Sequence, residues 1–314
     1  MSHQQDARGH GGRQYRRDRA ALGGAAGPHY VALMALPIEK LGTRYEPTTV
    51  EIDPARAKAY AAATNDDNPA YESGKYAPPV FGVVPVWSQL LAASADLVPA
   101  EAMMFIVHGE QDQHFHKPHV PGTALTTSAL AHSVRVAPNG TRFIAQLDST
   151  DEAGEPVLTQ YVTIFIRGMG DGESGGPDKP GHDFPDAARS KPAGTFTIHV
   201  DDDQTFRYRE ASGDEMPIHL DDAFAKSVGL PGIIAHGLCT MAMCSQAVVK
   251  TVADGDPGRL KRLAVRFASN VFPDNDIEVA LFDAGSVDGR RAYAFEATSA
   301  GATVIKNGWA EIEG

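Results

Sequence analysis

The sequence has little cysteine, no long apolar run and no excess of positive charge. Its 314 residues include two cysteines, Cys239 and Cys244. They sit five residues apart in an apolar, methionine-rich stretch. That spacing gives neither a zinc-ligand pattern nor a disulfide framework, so they are expected as buried thiols in a reducing compartment, the cytoplasm. No electropositive surrounding is visible that would activate either as a nucleophile. No stretch approaches the ~18 consecutive apolar residues that a membrane helix needs. The N-terminus lacks the apolar core of a secretory signal. The formal net charge of −12 argues against a nucleic-acid-binding coat and leaves any anionic ligand to a local basic patch. A sizeable core is not excluded, because hydrophobic residues make up 42%. The length suits one large domain or two of about 150 residues.

Composition divides the chain. Residues 1–29 are rich in Gly and Arg and almost free of aliphatic side chains, which predicts a disordered leader. Residues 168–194 hold seven glycines and four prolines in 27 positions, a composition that predicts a linker without helix or strand. Two units remain, 30–167 and 195–314, and they resemble each other. "IDPARAKAYAAATNDDNPAY" from Ile52 aligns with "VDDDQTFRYREASGDEMPIH" from Val200 at a constant shift of 148. The shift pairs Asp53 with Asp201, Tyr60 with Tyr208, Ala63 with Ala211, Asp66 with Asp214 and Pro69 with Pro217. In both units an apolar run follows, then "HVPGTAL" or "VFPDNDI", then alternating strands, which makes internal duplication the preferred organisation.

Local signals repeat as well. Asp53-Pro54 provides a capping carboxylate and a first-turn proline for a helix, and Asp201 is expected to cap its counterpart. "GIIAHGLCTMAMCSQAVVKTVA" is apolar nearly all round, the mark of a buried helix. Its partner lies near "FGVVPVWSQLLAASADLV", where Pro85 delays the helix start. Alternating segments such as "TRFIAQLDST" and "RAYAFEATSA" supply antiparallel strands. The fold class is α+β, with one buried helix wrapped by an antiparallel sheet in each unit and the two sheets joined edge to edge.

One polar constellation stands out. In "SGDEMPIHLDDAFAKSVGLPGIIAHG" an acid, Asp214, precedes an imidazole, His219, across a turn stiffened by Pro217. Gly237 follows at a helix start, where its N–H has no intrahelical partner and lies at the positive end of the dipole, a natural seat for an oxyanion. The bland alternative is a surface turn with a capping acid and a solvent-facing histidine.

The segment resembles the hydratase 2 motif of the MaoC-like (R)-specific enoyl-CoA hydratases, roughly S-G-D-x-N-P-L-H-x-D followed about a dozen residues later by A-H-G. The resemblance in layout covers about residues 35–314; the motif itself covers 208–245. It implies a double hot-dog fold, with Asp214 and His219 as catalytic dyad and the Gly237 amide facing the thioester oxygen. His236 and Ser245 fall at substrate-side positions. It also implies an acyl-CoA substrate with no metal or redox cofactor, the coenzyme A being part of the substrate. A homodimer of such chains is allowed but not required. The sequence departs from the pattern at Met216, where the family carries Asn. In the first unit the histidine position holds Tyr71 and "PPVFGVVP" replaces the A-H-G opening, so that unit is expected to shape the acyl tunnel without catalysing. A base role for Tyr71 with Asp66 suits a phenol of pKa about 10 poorly. Rival activities for the whole chain are a carrier-protein-linked 3-hydroxyacyl dehydratase, a hot-dog thioesterase and a non-catalytic thioester-binding protein.

Two further clusters compete for attention. His114 and His116 in "HGEQDQHFHKPH" would share one strand face, but the stretch lacks a completed ligand set, so a polar strand is expected rather than a metal site. Arg259, Lys261, Arg262 and Arg266 place four cations in eight residues. They are candidates for the coenzyme A phosphates, with a solvated strand edge as the plain alternative.

Overall fold

The computed structural model describes residues 35–314, so the predicted leader over 1–29 lies outside the described residues. The first unit runs β1 (Thr48–Glu51), α1 (Pro54–Ala63), α2 (Pro69–Glu72), α3 (Trp87–Leu97), β2 (Ile106–Phe115), β3 (Ala124–Ala137), β4 (Gly140–Thr150) and β5 (Pro156–Arg167). The second runs β6 (Pro192–Val200), α4 (Gln204–Ser212), α5 (Asp222–Ser227), α6 (Gly237–Val252), β7 (Leu260–Phe267), β8 (Asn275–Val287), β9 (Arg290–Ser299) and β10 (Ala302–Ile312). All ten strands form one antiparallel sheet in the order β1-β3-β4-β5-β2-β7-β10-β9-β8-β6. Read from its two ends the order is the same in each unit, so the sheet has a pseudo-twofold at the β2–β7 seam. This is the double hot-dog.

Each unit wraps its half of the sheet around a central helix. In α6, residues from Leu238 to Val249 are all buried, as an all-round apolar helix requires. In the first unit a 3-10 segment, Pro79–Val83, occupies the equivalent approach, and α3 begins only at Trp87, after Pro85. The short helices α1 and α4 meet across the axis. There the aligned pair Tyr60 and Tyr208, both fully buried, share a hydroxyl–hydroxyl hydrogen bond of 3.1 Å.

Two local expectations need correction. Asp53 caps α1, accepting from the N–H groups of Ala55 and Arg56. Asp201 does not cap α4. The residue before that helix is Asp203, and the Asp201 carboxylate is taken by Arg207 and Asn65. The Gly/Pro-rich stretch also carries structure: a 3-10 turn at Asp186–Ser190 and the start of β6 at Pro192. It forms a strap over the sheet face opposite the central helices. Along it, Gly175 bridges to Val134, Gly181 accepts from Arg262, and the His182 Nδ1–H donates to the Asn307 carbonyl at 2.7 Å. Ala188 of the strap packs onto Ala264, Ala292, Ala294 and Trp309 of the sheet.

Candidate active site

Asp214 lies just past the end of α4. Gly213, in the left-handed region at φ 80°, closes that helix and turns the chain. The Asp214 N–H donates to Ser212 Oγ at 3.1 Å, and the Met216 N–H donates to Asp214 Oδ1 at 3.1 Å. The loop is thus held by main-chain N–H groups donating to the Ser212 and Asp214 side chains, whatever the side chain at position 216. Met216 itself is 53% exposed and leads into a 3-10 turn, Pro217–His219, which carries the imidazole inward.

His219 is buried. Its Nδ1 lies 2.7 Å from the Ile234 carbonyl. A carbonyl only accepts, so Nδ1 carries the proton and Nε2 keeps a free lone pair. Burial lowers the His219 pKa below the ordinary imidazole range, while the nearby Asp214 carboxylate works against that shift.

His236 stacks on His219 with ring centroids 3.8 Å apart, and its other neighbour, Tyr208, lies tilted against it at 4.8 Å. Its Nε2–H donates to the Asp214 carbonyl at 3.2 Å, tying the acid loop to the mouth of α6. Its Nδ1 is buried and finds no partner among the described residues. Burial, with His219 beside it, pushes the His236 pKa down to about 3, so the ring stays neutral. Gly237 follows as the first residue of α6, and a Cβ there would stand 3.3 Å from the Phe267 ring. The glycine therefore lets that helix start sit close against β7.

One ligating atom each from Asp214, His219 and His236 lies within 4.8 Å of the others, the only such trio among the described residues. These are the groups that could hold a metal. However, His219 Nδ1 and His236 Nε2 are committed to carbonyls, and stacked rings do not converge lone pairs on one point. The arrangement suits holding a water between a carboxylate and a free Nε2. A cleft reaches Asp214, lined by Tyr208, Ser212 and Leu238 from the second unit and by Val83, Val84 and Trp87 from the first.

The remaining sequence candidates lie elsewhere. Ser245 is two turns further along α6 and donates its hydroxyl to the Ala242 carbonyl at 2.8 Å. The four cations do not form a patch. On β7, Leu263 and Val265 face the main core, whereas Ala264 packs under the strap, so Arg262 and Arg266 alternate onto the face away from α6. Arg262 is buried in a two-pronged bond to Asp112, at 3.0 and 2.8 Å. Arg266 lies 3.8 Å from Glu110. Lys261 pairs with Glu313 at 2.7 Å, and Arg259 with Asp254 and the Glu313 carbonyl. Apart from Asp254, five residues before Arg259, these acids come from strands and segments distant in sequence, which spacing could not reveal. His114 pairs with Asp112 at 3.2 Å and His116 with Thr159, and no shared ligand set forms. The cleft residues contributed by the first unit carried no motif and were missed.

Comparison with known proteins decides the family. Residues 183–304 match the family described as MaoC like domain, and residues 65–168 match the MFE-2 hydratase 2 N-terminal domain. The chain thus carries a MaoC-like dehydratase domain in its second unit and an MFE-2 hydratase 2 N-terminal domain in its first. Among relatives of this MaoC-like chain, a probable enoyl-CoA hydratase 2 of Dictyostelium discoideum is 31% identical over 182 residues, 57% of this chain and 61% of that protein. A peroxisomal multifunctional enzyme type 2 of Drosophila melanogaster is 29% identical over 245 residues, 75% of this chain and 40% of that protein. The match thus spans less than two thirds of either relative. In structure, a MaoC-like dehydratase from Phytophthora capsici superposes with a TM-score of 0.79 at 26% identity, covering 88% of this chain and 97% of that one.

Proposed function

We propose that this MaoC-like chain adds water reversibly to trans-2-enoyl-CoA, giving (3R)-3-hydroxyacyl-CoA, as a hydro-lyase of fatty-acyl metabolism. The observation that carries the reading is the meeting of the Asp214 carboxylate with an imidazole whose Nε2 lone pair is free, beside the opening of α6. Both groups accept hydrogen bonds in the resting state, so a water between them donates both its hydrogens and turns an oxygen lone pair outward. Attack of that oxygen on C3 forms the C–O bond, and electron density from the double bond moves to C2 and the thioester oxygen. The Gly237 N–H, at the positive end of α6, stabilises the oxygen where charge develops. One water proton passes to the dyad and a proton is delivered to C2, so H and OH add across the double bond. Asp214 and His219 exchange this proton as a coupled pair.

The first unit, without an imidazole at Tyr71, serves in this reading as the wall along which the acyl chain lies, through Val83, Val84 and Trp87. No metal or redox cofactor enters the reaction. The ion pairing of Arg259, Lys261, Arg262 and Arg266 leaves little free charge for the coenzyme A phosphates. Several relatives are named peroxisomal, and no helix among the described residues is long and apolar enough to cross a membrane. The cytoplasmic location expected from the sequence, and the further homodimer it allows, are tested by imaging the tagged chain and by its mass in solution.

The deciding experiment follows enoyl absorbance with crotonyl- and octenoyl-CoA, with chiral analysis of the product. Loss of absorbance with a 3R product supports the reading. Release of free coenzyme A without hydration points to a thioesterase instead. Binding without either change points to a thioester-binding protein. Activity restricted to carrier-protein thioesters, and sensitive to salt, points to the dehydratase variant.

A further inference from the structure

We propose that Arg56, from the unit without the dyad, is a positioning residue for hydration: its guanidinium fixes the end of α4 and so the place of Asp214. The inference rests on the hydration reading above. Arg56 Nε donates to the Ala211 carbonyl at 2.7 Å, and Nη2 donates to the Ser212 carbonyl at 2.7 Å. These are carbonyls of the last helical turn, which have no intrahelical partner and carry the negative end of the dipole. A fixed cation is the group best suited to hold them. The contact is close: a Cβ on Gly213 would stand 2.9 Å from Arg56 Nη2.

Two residues link this clamp to the reacting carboxylate. Ser212, held by its carbonyl, receives the Asp214 N–H on its hydroxyl, and Asp214 Oδ1 accepts from Met216 N–H. Displacing the end of α4 therefore moves the acid relative to His219, which hangs separately on Ile234. A misplacement of about 1 Å in such a geometry can cost about 100-fold in rate.

The pseudo-twofold supplies an internal control. The shift of 148 that pairs Ala211 with Ala63 also pairs Arg56 with Gln204. Gln204 does bond the Ala63 carbonyl, and Arg207 adds a 3.0 Å bond to Ala62. Each unit thus holds the helix end of the other. One hold leads to Asp214 beside an imidazole. The other leads to Asp66 beside Tyr71.

The test uses the full chain with crotonyl-CoA. Arg56→Ala is expected to lower kcat 10- to 100-fold with KM within twofold, and Arg56→Lys to recover part of the loss. Amide exchange at residues 213–216 is expected to quicken in Arg56→Ala while the strands keep their protection. Gln204→Ala, which loosens the opposite helix end, is expected to leave kcat within twofold. Wild-type kcat in a folded Arg56→Ala overturns the proposal, as does an equal fall in Arg56→Ala and Gln204→Ala. Should Arg56→Ala fail to fold, Arg56→Gln copies the opposite hold, and wild-type kcat there overturns the proposal equally. A wild-type chain that hydrates no enoyl-CoA overturns the functional reading instead. In that case unchanged exchange at 213–216 overturns the clamp, and quickened exchange upholds it.

Discussion

The two units carry the same loop in two chemical conditions. In the second, Asp214 borders a cleft and His219 offers a free Nε2. In the first, Asp66 is buried at 8% exposure and accepts from the Asn68 N–H, and burial raises its pKa. Tyr71, at the histidine's place, is 3% exposed, and its hydroxyl finds no partner among the described residues. Position 216 inverts the contrast. Asn68, its counterpart, caps the next turn through Ala70 N–H and donates to the Gly255 carbonyl. The first unit thus carries Asn where the second carries Met. The Asn does structural work there, whereas the acid loop of the second unit closes through the Ser212 hydroxyl and the Asp214 carboxylate, without help from the Met216 side chain.

The sharpest break of this comparison is in activity. Asp214→Asn and His219→Ala are each expected to lower hydration by about 10²- to 10⁴-fold. Asp66→Asn and Tyr71→Phe are expected to change it less than twofold, measured by enoyl absorbance. Equal losses on both sides would mean that the units do not differ as described.

At the seam, Asp112 of the first unit is fully buried against Arg262 of the second. Arg262→Ala leaves that buried carboxylate with His114 alone and is expected to cost up to about 3–5 kcal/mol in denaturant unfolding. KM for enoyl-CoA should hold in the folded fraction, whereas a rise would return Arg262 to substrate binding.

Acid should act through buried imidazoles on both sides. Burial holds His108 and His119 at about 4 and His236 at about 3. The unfolded chain takes up these protons first, near pH 6.5. The stability due to neutral burial is therefore complete above that pH and lost as pH falls from about 6.5 toward 4, at up to about 1.4 kcal/mol per pH unit per group. His119 is the informative member. Its carbonyl accepts from Ala77 N–H as that of Val271 accepts from Ala235 N–H, so Val is its counterpart. His119→Val is expected to flatten the decline of Tm with acid. The smallest effect is expected from Met216→Asn. Copying the Asn68 cap should add about 1 kcal/mol of stability, read as a rise in Tm.

Much of this was legible in the residues. The shift of 148 identified Tyr60 and Tyr208 as equivalent, and their hydroxyls meet on the axis. The strand alternation and the all-round apolar stretch gave the layers. The S-G-D to A-H-G spacing brought Asp214, His219 and His236 together. What was not legible depends on partners remote in sequence. Asp201 looked like a cap, but Arg207 reaches its carboxylate first. The cations at 259–266 looked like a cluster, but strand alternation puts Arg262 and Arg266 on the face away from α6, where Asp112 and Glu110 lie, and Lys261 apart from them beside Glu313. Arg56 sits in a helix without a motif, and its acceptors are main-chain oxygens that no composition reveals.

The strap over residues 168–191 has a consequence for what each half is free to become. Two identical chains related by a true axis must show every substitution on both sides, so an imidazole lost from one site is lost from its mate. Joining the halves in a single polypeptide lifts that constraint. Tyr71 can then stand where His219 stands without silencing its neighbour, and bulk from Val83 to Trp87 can intrude on one cleft alone.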